Sequence, residues 1–490
     1  MKKFTTLMLC IILLFSTNLL FADDGFDSLF TDIAEGGNSS ALEITGLSNL
    51  EIYASLNSSK TVLTNYNLNL NLAYEGTNSN FNGKIKLNTL TLESNPLNII
   101  DELNYTFYSD NFVIQAGKTK LVWGRGDKLH VLDSFNANDY SLFILPDYLD
   151  RRVALPMLSV SYNSLSSLSL QAVWTPSMTA DIIPLEGAWA MDEASSLYTL
   201  CQGYVKTQAK NAYSSTYSST LSSLMAAGLT QEMANPTALL AANEASLEIV
   251  NQYSDEEAFL PDTSTLDYGQ YGLRLTGTVG SFDLGAQYYL GHYKTPSVEY
   301  QLAQDVYGNT EVNNLSLSYD KLSIFGLDGE KVIGAFNLRG ELAYYMTEDT
   351  EGSNPSIHNP SLQYLLGCDV SLPFNELDLN VQVIGSYTLF NDKIVSPLDI
   401  EYEEDRNALS NKVVAQLSDS WKNETIKTKV AGVWNIEKGD VVVMPTVDYV
   451  FDDSFTISLT GALIYELKEN GEFSEFEDND FIKLKTSYSF

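Results

Sequence analysis

The chain ends with Asp480-Phe-Ile-Lys-Leu-Lys-Thr-Ser-Tyr-Ser-Phe490, the stretch that decides the fold class. Ile482 and Leu484 alternate with Lys483 and Lys485, and the chain closes on an aromatic residue. A β-strand has a side-chain period of two, so such a segment places apolar groups on one face and polar groups on the other. The end of the chain therefore predicts a strand with one apolar face and one wet face.

The other end of the chain has the features of an export signal. Lys2 and Lys3 precede an apolar run over residues 7–15, and Ala22 precedes Asp23 and Asp24. This pattern predicts a secretory signal peptide over residues 1–22, followed by a periplasmic tail over residues 23–40. Beyond residue 22 no run of about eighteen apolar residues remains, so no transmembrane helix is expected. An exported chain of this kind is periplasmic, secreted or a membrane β-barrel.

Composition favours the barrel among these classes. The 490 residues carry a formal net charge of −35, and removal of the signal peptide takes away two lysines and no acids. Such acidity argues against nucleic acid as a partner, because binding nucleic acid requires a basic face. The mean hydropathy is −0.09, and the chain has 29 Tyr and 22 Phe. Barrel strands are apolar on one face only, and aromatic rings favour both membrane interfaces.

The segment Tyr66-Asn-Leu-Asn-Leu-Asn-Leu-Ala-Tyr74 repeats the alternation most clearly. Eighteen such segments, from 41–56 to 481–490 and including 314–327 and 332–346, predict an all-β, transmembrane antiparallel β-barrel of about eighteen strands over residues 41–490. Without the two weakest segments, 157–163 and 412–420, the barrel would have sixteen strands.

Connections of alternating length predict the orientation. Ser109–Asn111 and Gly280-Ser281 are tight, whereas most of the intervening connections are long. Short periplasmic turns and long external loops place both termini in the periplasm. The alternation then predicts a water-filled lumen lined by Asn67, Asn69, Asn71, Lys84, Lys86, Lys427, Lys429, Lys483 and Lys485.

The connection over residues 175–265 is far longer than an ordinary loop. Asn235-Pro236 has the features of a helix start, and residues 237–253 are rich in strong helix formers. We expect a partly helical extracellular insertion; a poorly ordered surface loop is the alternative. Cys201 lies in this insertion and is expected to face water, whereas Cys368 falls on the apolar phase of a strand, so no disulfide is expected between them.

A second segment, residues 118–156, is predicted to lie outside the barrel wall and to form a loop that folds into the barrel. Three of the six arginines in the chain lie here among several aspartates. Fixed charges of both signs in a narrow lumen filter and orient solutes. We expect Arg125, Arg151 and Arg152 to face Asp127, Asp133 or Asp139; alternatively, these groups form salt bridges that only hold the loop. The predicted constriction comprises Arg125, Asp127, Lys128, Asp133, Asp139, Arg151 and Arg152.

Several motifs follow one another along most of the chain: Gln115–Asp127, Asp133, Asn136, Tyr288–Pro296, Ile324–Leu327, Leu338–Tyr344 and Asp480–Phe490. Together they resemble a family of large bacterial outer-membrane barrels catalogued as a domain of unknown function. That family neighbours the alginate-export and long-chain fatty acid transport barrels. The terminal strand also resembles the strand that the barrel assembly machinery recognises, with Tyr488 and Phe490 as the assembly signal. The resemblance implies a barrel in the outer membrane, with membrane lipid and the assembly machinery as partners.

Motifs for catalysis are absent from the sequence. The only histidines are His130, His292 and His358, and neither His-Glu-x-x-His nor Gly-x-Ser-x-Gly occurs. We therefore expect no enzyme activity, no catalytic residue, no cofactor and no metal ion. The predicted function is a porin-like outer-membrane channel for small solutes or hydrophobic compounds. The alternative is a surface adhesin or ligand-binding protein that uses the insertion; the tripeptide Arg125-Gly-Asp127 is a weak adhesion motif.

Overall fold

A computed structural model describes residues 42–57, 62–89, 99–163, 167–185, 187–305, 307–396, 399–403, 406–468 and 471–490. The expected signal peptide and N-terminal tail lie outside these ranges. Eighteen strands of the described chain join in one closed antiparallel sheet, which confirms the predicted barrel. They are β1 (Leu42–Ser55), β2 (Val62–Glu75), β3 (Ser79–Asn88), β4 (Ile100–Tyr108), β5 (Phe112–Thr119), β8 (Leu155–Asn163), β9 (Leu168–Thr175), β10 (Gln270–Val279), β11 (Phe282–His292), β14 (Lys321–Ile333), β15 (Phe336–Thr347), β16 (Ser361–Ser371), β17 (Asp378–Thr388), β18 (Leu409–Trp421), β19 (Ile426–Asn435), β20 (Asp440–Val450), β21 (Phe455–Glu466) and β22 (Phe481–Ser489).

The remaining elements lie in the loops. Two short strands, β6 and β7, pair with each other between β5 and β8, and a separate hairpin, β12–β13, lies between β11 and β14. Three α-helices complete the described fold, and none of them is long and apolar enough to span a membrane. The loop elements are β6 (Ala137–Asn138), β7 (Arg152–Val153), β12 (Ser297–Gln304), β13 (Thr310–Ser318), α1 (Tyr148–Arg151), α2 (Asp192–Ala226) and α3 (Gln231–Gln252).

The last strand closes the barrel against the first. Strands β22 and β1 pair in an antiparallel register that runs from Leu47 opposite Ser489 to Ser55 opposite Phe481. The terminal residue extends this ladder: the Phe490 N–H donates to the Gly46 carbonyl at 3.0 Å, and the Gly46 N–H donates back at 2.7 Å. The Phe490 ring covers Gly46 so closely that a Cβ there would collide with it. A closed sheet leaves no unpaired strand edge.

Each barrel strand has an exposed apolar face and an enclosed face, as β14 shows. Phe325 and Leu327 are exposed, whereas Leu322, Ile324 and Asp328 are buried. The same alternation on the neighbouring strands makes the exposed phase the outside of the barrel and the other phase the lumen. Cys368 is paired with Leu338, which is exposed, so it belongs to the outer phase.

Connection lengths alternate around the barrel. In the described part of the chain, the connections at one end are short, such as Gly280-Ser281 between β10 and β11 and Gly334-Ala335 between β14 and β15. The other end has the long loops, including the connections that follow β5 and β9. We call these the turn end and the loop end; the turn end also holds the start of β1 and the end of β22.

One stretch of the wall differs from the sequence prediction. The expected strands at 314–327 and 332–346 are in fact the end of β13, then β14 and β15. The alternation in 314–318 belongs to the β12–β13 hairpin, and the true tight turn lies at Gly334, which adopts φ +61°. Alternation alone cannot separate a loop hairpin from the wall strand that follows it, because both have the same period.

The long insertion is more helical than expected. Helix α2 was not predicted, and α3 begins at Gln231 rather than near Pro236, with the Thr230 hydroxyl accepting from the Met233 N–H. Helix α2 packs on the β12–β13 hairpin, where Lys210 forms ion pairs with Asp305 and Glu311. The expectation that Cys201 faces water is wrong: its side chain is buried in α2, and burial raises the pKa of its thiol to about 11.

We predict that Phe490→Ser reduces the yield of folded barrel, because Phe490 is the residue through which the last strand meets Gly46. The measurement is heat-modifiable migration on a gel after refolding into detergent and after expression. Phe107→Ser, which removes an exposed ring of β4 near the turn end, is the matched control. Equal losses in both variants would show that the terminal position has no special part in assembly.

Candidate functional site

The connection between β5 and β8 lies inside the barrel, and we call residues 120–154 the inward segment. Asn136 ties its two ends together: its amide donates to the carbonyls of Thr119 and Val153 and accepts from the Leu121 N–H at 2.8 Å. The β6–β7 pair continues this link. The segment is thus a closed loop whose ends share one buried amide, not an open strand of chain.

A single wall carboxylate holds the start of this segment. Glu341 on β15 is completely buried and accepts from the backbone N–H groups of Arg125 and Gly126, both at 2.6 Å, and of Val131 at 2.8 Å. The His130 Nδ1 also lies 3.0 Å from it. Gly124 has φ +108°, and a Cβ there would collide with this carboxylate. The Gly-Arg-Gly turn therefore wraps around an anion, which satisfies N–H groups that no ladder could reach.

Apolar side chains of the segment fill one side of the lumen. Trp123, Leu132 and Phe135 are almost fully buried and belong to one cluster with inward side chains of β8, β9, β11, β14, β15 and β16. The rings of Trp123 and Phe135 pack edge to face at 5.1 Å. The wall makes room for them with glycines: a Cβ at Gly272 would meet Trp123 and Phe135, and one at Gly326 would meet Leu132.

The segment also contacts the opposite wall. Phe143 is buried with Val442 on β20 and Ile464 on β21. Its ring stacks on Trp189, which precedes α2, at a centroid distance of 5.4 Å. Leu145 packs against a further cluster on β1, β21 and β22. The inward segment therefore bridges the lumen from the β10–β16 side to the β20–β1 side.

Charged side chains of the wall and the segment form a network beside the Glu341 anchor. Asp328 on β14 pairs with Arg125 at 2.9 Å and with Arg274 of β10 at 2.7 Å. Glu330 pairs with Arg125 at 3.1 Å, and Arg339 of β15 pairs with Asp369 of β16. Three of the six arginines thus share one side of the lumen with four acids: Asp127, Asp328, Glu330 and Asp369.

The pairing expected for Arg125 is wrong. It does not face the aspartates of its own segment, because wall carboxylates on β14 neutralise it. Asp127 instead lies 3.1 Å from the Asn380 amide and 4.0 Å from Arg339. With its amide oriented to match, the buried Gln382 accepts from the backbone N–H groups of Asp127 and Lys128.

Only Arg152 forms the expected pair. It meets Asp133 at 2.8 Å, and both side chains are buried. The Tyr148 hydroxyl donates to the same carboxylate, and burial together with the Asp133 charge holds the pKa of Tyr148 far above its usual value. Arg152, Asp133 and Tyr148 therefore fit the alternative prediction, in which the charged groups form salt bridges that hold the segment.

Three residues of the predicted constriction have no ionic partner within 4.0 Å among the described residues: Lys128, Asp139 and Arg151. Among described residues, Arg151 has no carboxylate within 4.0 Å, although its backbone carbonyl accepts from the Asp139 N–H at 2.6 Å. The Asp139 carboxylate accepts from the Ser141 N–H at 2.9 Å. Arg151 and Asp139 thus contribute to the backbone conformation of the segment. A role in selecting solutes stays a prediction for them.

Lysines occupy the other side of the lumen. Strands β1 and β14 are diametrically opposed in the ring of eighteen, and the inward lysines lie on β3, β19 and β22, around β1. Lys84 pairs with Asp101, and Lys483 lies 3.9 Å from Glu51. In the described part of the chain, neither Lys429 nor Lys485 has a carboxylate within 4.0 Å. The structure places on this inward phase Asn67, Asn69, Asn71, Lys84, Lys86, Lys427, Lys429, Lys483 and Lys485.

Sequence reasoning missed the wall half of this site. Arg274, Asp328, Arg339, Glu341 and Asp369 each occupy the inward phase of a strand whose outward phase is apolar. A charged residue within an otherwise apolar, alternating strand could have revealed these positions. Such a residue is tolerated in the wall only where its side chain faces water or an ionic partner. The glycines at inward positions were a second signal, because a strand glycine often marks a close approach of another group.

Within the described ranges, no group of three or more His, Cys, Asp and Glu side chains is placed to hold a metal ion. The tripeptide Arg125-Gly-Asp127 lies in the lumen, with two of its N–H groups on Glu341. It is therefore not displayed on the outer surface as an adhesion motif requires.

Comparison with known proteins gives a family and a set of distant folds. The family described as protein of unknown function (DUF1302) matches residues 102–363, more than half of the chain. Salmonella typhi OmpF in complex with daunomycin is similar at 8% identity and a TM-score of 0.37, over 92% of this chain and 98% of that one. Pseudomonas aeruginosa OccK10 shows 10% identity and a TM-score of 0.44, over 92% and 99%. No curated protein matches in sequence.

We predict that Glu341→Gln loosens the inward segment while leaving the barrel closed. The amide keeps the size but loses the charge that three N–H groups share, and a hydrogen bond to a charged group contributes about 1.5–3 kcal/mol. Hydrogen exchange of the amides of Arg125, Gly126 and Val131, followed by mass spectrometry, should accelerate roughly ten- to a hundredfold.

The matched control is Glu330→Gln on the neighbouring strand. Glu330 contacts side chains only, among them Arg125 and Asn337, so exchange of the same three amides should change little. Equal acceleration in both variants would show that general loss of wall charge, not the carboxylate on the turn, loosens the segment.

Proposed function

We propose that this chain, which belongs to the DUF1302 family of proteins of unknown function, is a porin-like channel of the bacterial outer membrane that passes small hydrophilic solutes. The observation that carries the proposal is the closed eighteen-stranded barrel, apolar outside and charged inside, with a loop anchored across its lumen. Barrels of sixteen to eighteen strands enclose enough space for an aqueous path.

The outer surface supports a place in a lipid bilayer. Leucines such as Leu273, Leu342 and Leu459 stand exposed in the middle of their strands. Aromatic residues, among them Phe107, Tyr449 and Phe490, stand exposed near the turn end, as rings at a membrane interface do. With short turns on the periplasmic side, the helical insertion projects outward. Membrane lipid and the barrel assembly machinery are the partners that this arrangement requires.

The lumen favours hydrophilic over hydrophobic solutes. Inward apolar residues such as Ile324, Leu365 and Val442 are buried against the inward segment and so are not available to a ligand. The rest of the lumen presents asparagines and lysines on one side and the arginine–carboxylate network on the other. Charges of opposite character across a narrow path create a transverse field that selects and orients charged solutes.

A second candidate is binding of a surface ligand by the insertion. Its support is a stripe of exposed apolar residues on α3, formed by Met233, Leu240 and Leu247, at intervals of seven residues. Protease shaving of intact cells that abolishes ligand binding, while the purified barrel shows no conductance, would favour this candidate over the channel.

We predict that the protein conducts in planar bilayers and that Lys429→Glu raises its cation-over-anion permeability. Lys429 faces the lumen without an ionic partner among described residues, and its cross-strand neighbours Ser418 and Thr446 are neutral. A unit charge about 10 Å away in water is worth roughly 0.4 kcal/mol to an ion, and screening at about 0.1 M salt lowers this to roughly 0.15 kcal/mol. Because the two-unit change acts on cations and anions with opposite sign, it should shift the permeability ratio about two- to threefold.

Lys422→Glu is the control of equal charge change. Lys422 is exposed in the tight turn between β18 and β19, outside the lumen. Recording at about 0.1 M salt, where the screening length is about 10 Å, keeps the effect of a lumen charge measurable and weakens that of charges farther from the path. A folded barrel without conductance, or equal selectivity shifts in both variants, would contradict the proposed channel.

A further inference from the structure

A cavity of about 300 Å³ lies in the lumen between the start of the inward segment and the wall. Residues 122–125 form its boundary toward the loop end, and β8, β9 and β10 form its sides. Ser161, Ser169 and Thr276 line it close to the tight turns. The cavity therefore lies on the periplasmic side of the bridge that the segment makes across the lumen, and its volume is at the lower end of the range for small-molecule sites.

The polar side chains of the lining are hydrogen-bond donors, and no acid is among them. Two guanidinium groups, Arg125 and Arg274, meet there with three hydroxyls and the Gln171 amide. The carboxylates that neutralise these arginines, Asp328 and Glu330, are on β14 and are not part of the lining. The arginines thus have their acids on one side and the cavity on the other.

The polar groups of this lining are held in place. The Trp123 indole N–H donates to the Gln171 carbonyl oxygen at 2.9 Å, and the Gln171 amide donates to Ser159 at 2.9 Å. Arg274 is fixed by Asp328 and by Gln287. Preorganised donors lower the entropy cost of binding a ligand.

We infer that this cavity is a subsite for the carboxylate group of a small organic anion, through which such a solute passes the bridge. The inference rests on the proposed function and names its substrate class. Both guanidinium groups line the cavity, so each can donate a charge-assisted hydrogen bond to one oxygen of a carboxylate placed between them. Because wall acids already offset both arginines, binding is weak and reversible, as conduction requires.

The test is isothermal titration of the folded, full-length protein in detergent with benzoate and with benzamide, which has nearly the same shape but no charge. We expect benzoate to bind and benzamide to bind at least about tenfold more weakly, the equivalent of one charge-assisted hydrogen bond. Equal affinities, or no binding of either compound, would overturn the inference.

A pair of variants tests the location. Ser161→Asp places an acid in the cavity without altering either arginine, and should lower benzoate affinity at least about tenfold. Ser418→Asp adds the same charge to the lumen face of β18, beside Lys429, and should leave benzoate affinity in place. Unchanged affinity in Ser161→Asp, with heat-modifiable migration intact, would place the anion elsewhere and overturn the inference.

Conductance separates this inference from the proposed function. A barrel that conducts but does not bind benzoate keeps the channel and loses the subsite. Conversely, a barrel that binds benzoate in the predicted pattern without conducting supports the anion-binding cavity but removes the channel, and with it the passage of the anion past the bridge.

Discussion

The interior of this barrel depends on where irregular backbone finds hydrogen-bond acceptors. A segment that leaves the sheet and enters the lumen carries N–H groups that no strand can satisfy, and each would be costly to bury alone. Glu341 resolves this for three of them at once. Without a carboxylate at that wall position, the Gly-Arg-Gly turn would bury N–H groups that have no acceptor. The turn would then not be held against β15, and the residues that follow it would lose their fixed position.

The inward-facing positions of the wall consequently have two different roles. Where apolar side chains of the segment pack, the inward phase is apolar or glycine, as at Ile324, Gly272 and Gly326. Elsewhere the inward phase is mostly polar or charged, both where it binds the backbone and the arginine of the segment, as at Glu341 and Asp328, and where it borders the remaining path. A side chain at Gly272 would displace an aromatic ring of the segment, so the shape of the wall fixes where the segment crosses the lumen. The charged side chains of the wall determine the electrostatic properties of the path that remains open. The channel and the anion subsite that we propose are two aspects of this one division.

The sequence predicted the wall well and the inner site only in part. The alternation of apolar and polar side chains is a local property of the sequence. Short windows such as Tyr66–Tyr74 therefore predict the number of strands, the alternation of short and long connections, and the lysines that face inward. Partners across the lumen are not local: Arg125 and Asp328 are 203 residues apart, and only the closed register brings them together. The same limit explains the misplaced strand at 314–327, whose period could not reveal that residues 314–318 pair in the β12–β13 hairpin.

The anchoring of the inward segment has a consequence for the order of synthesis. Val131 lies 210 residues before Glu341, so the turn that wraps this carboxylate is made long before its acceptor exists. The turn has its acceptor only when β15 is paired beside β14. The wall itself closes only through β22, which pairs with β1. A loop from the first third of the chain is thus held by a strand from the last third, and the native contacts of the barrel interior require most of the chain to be present.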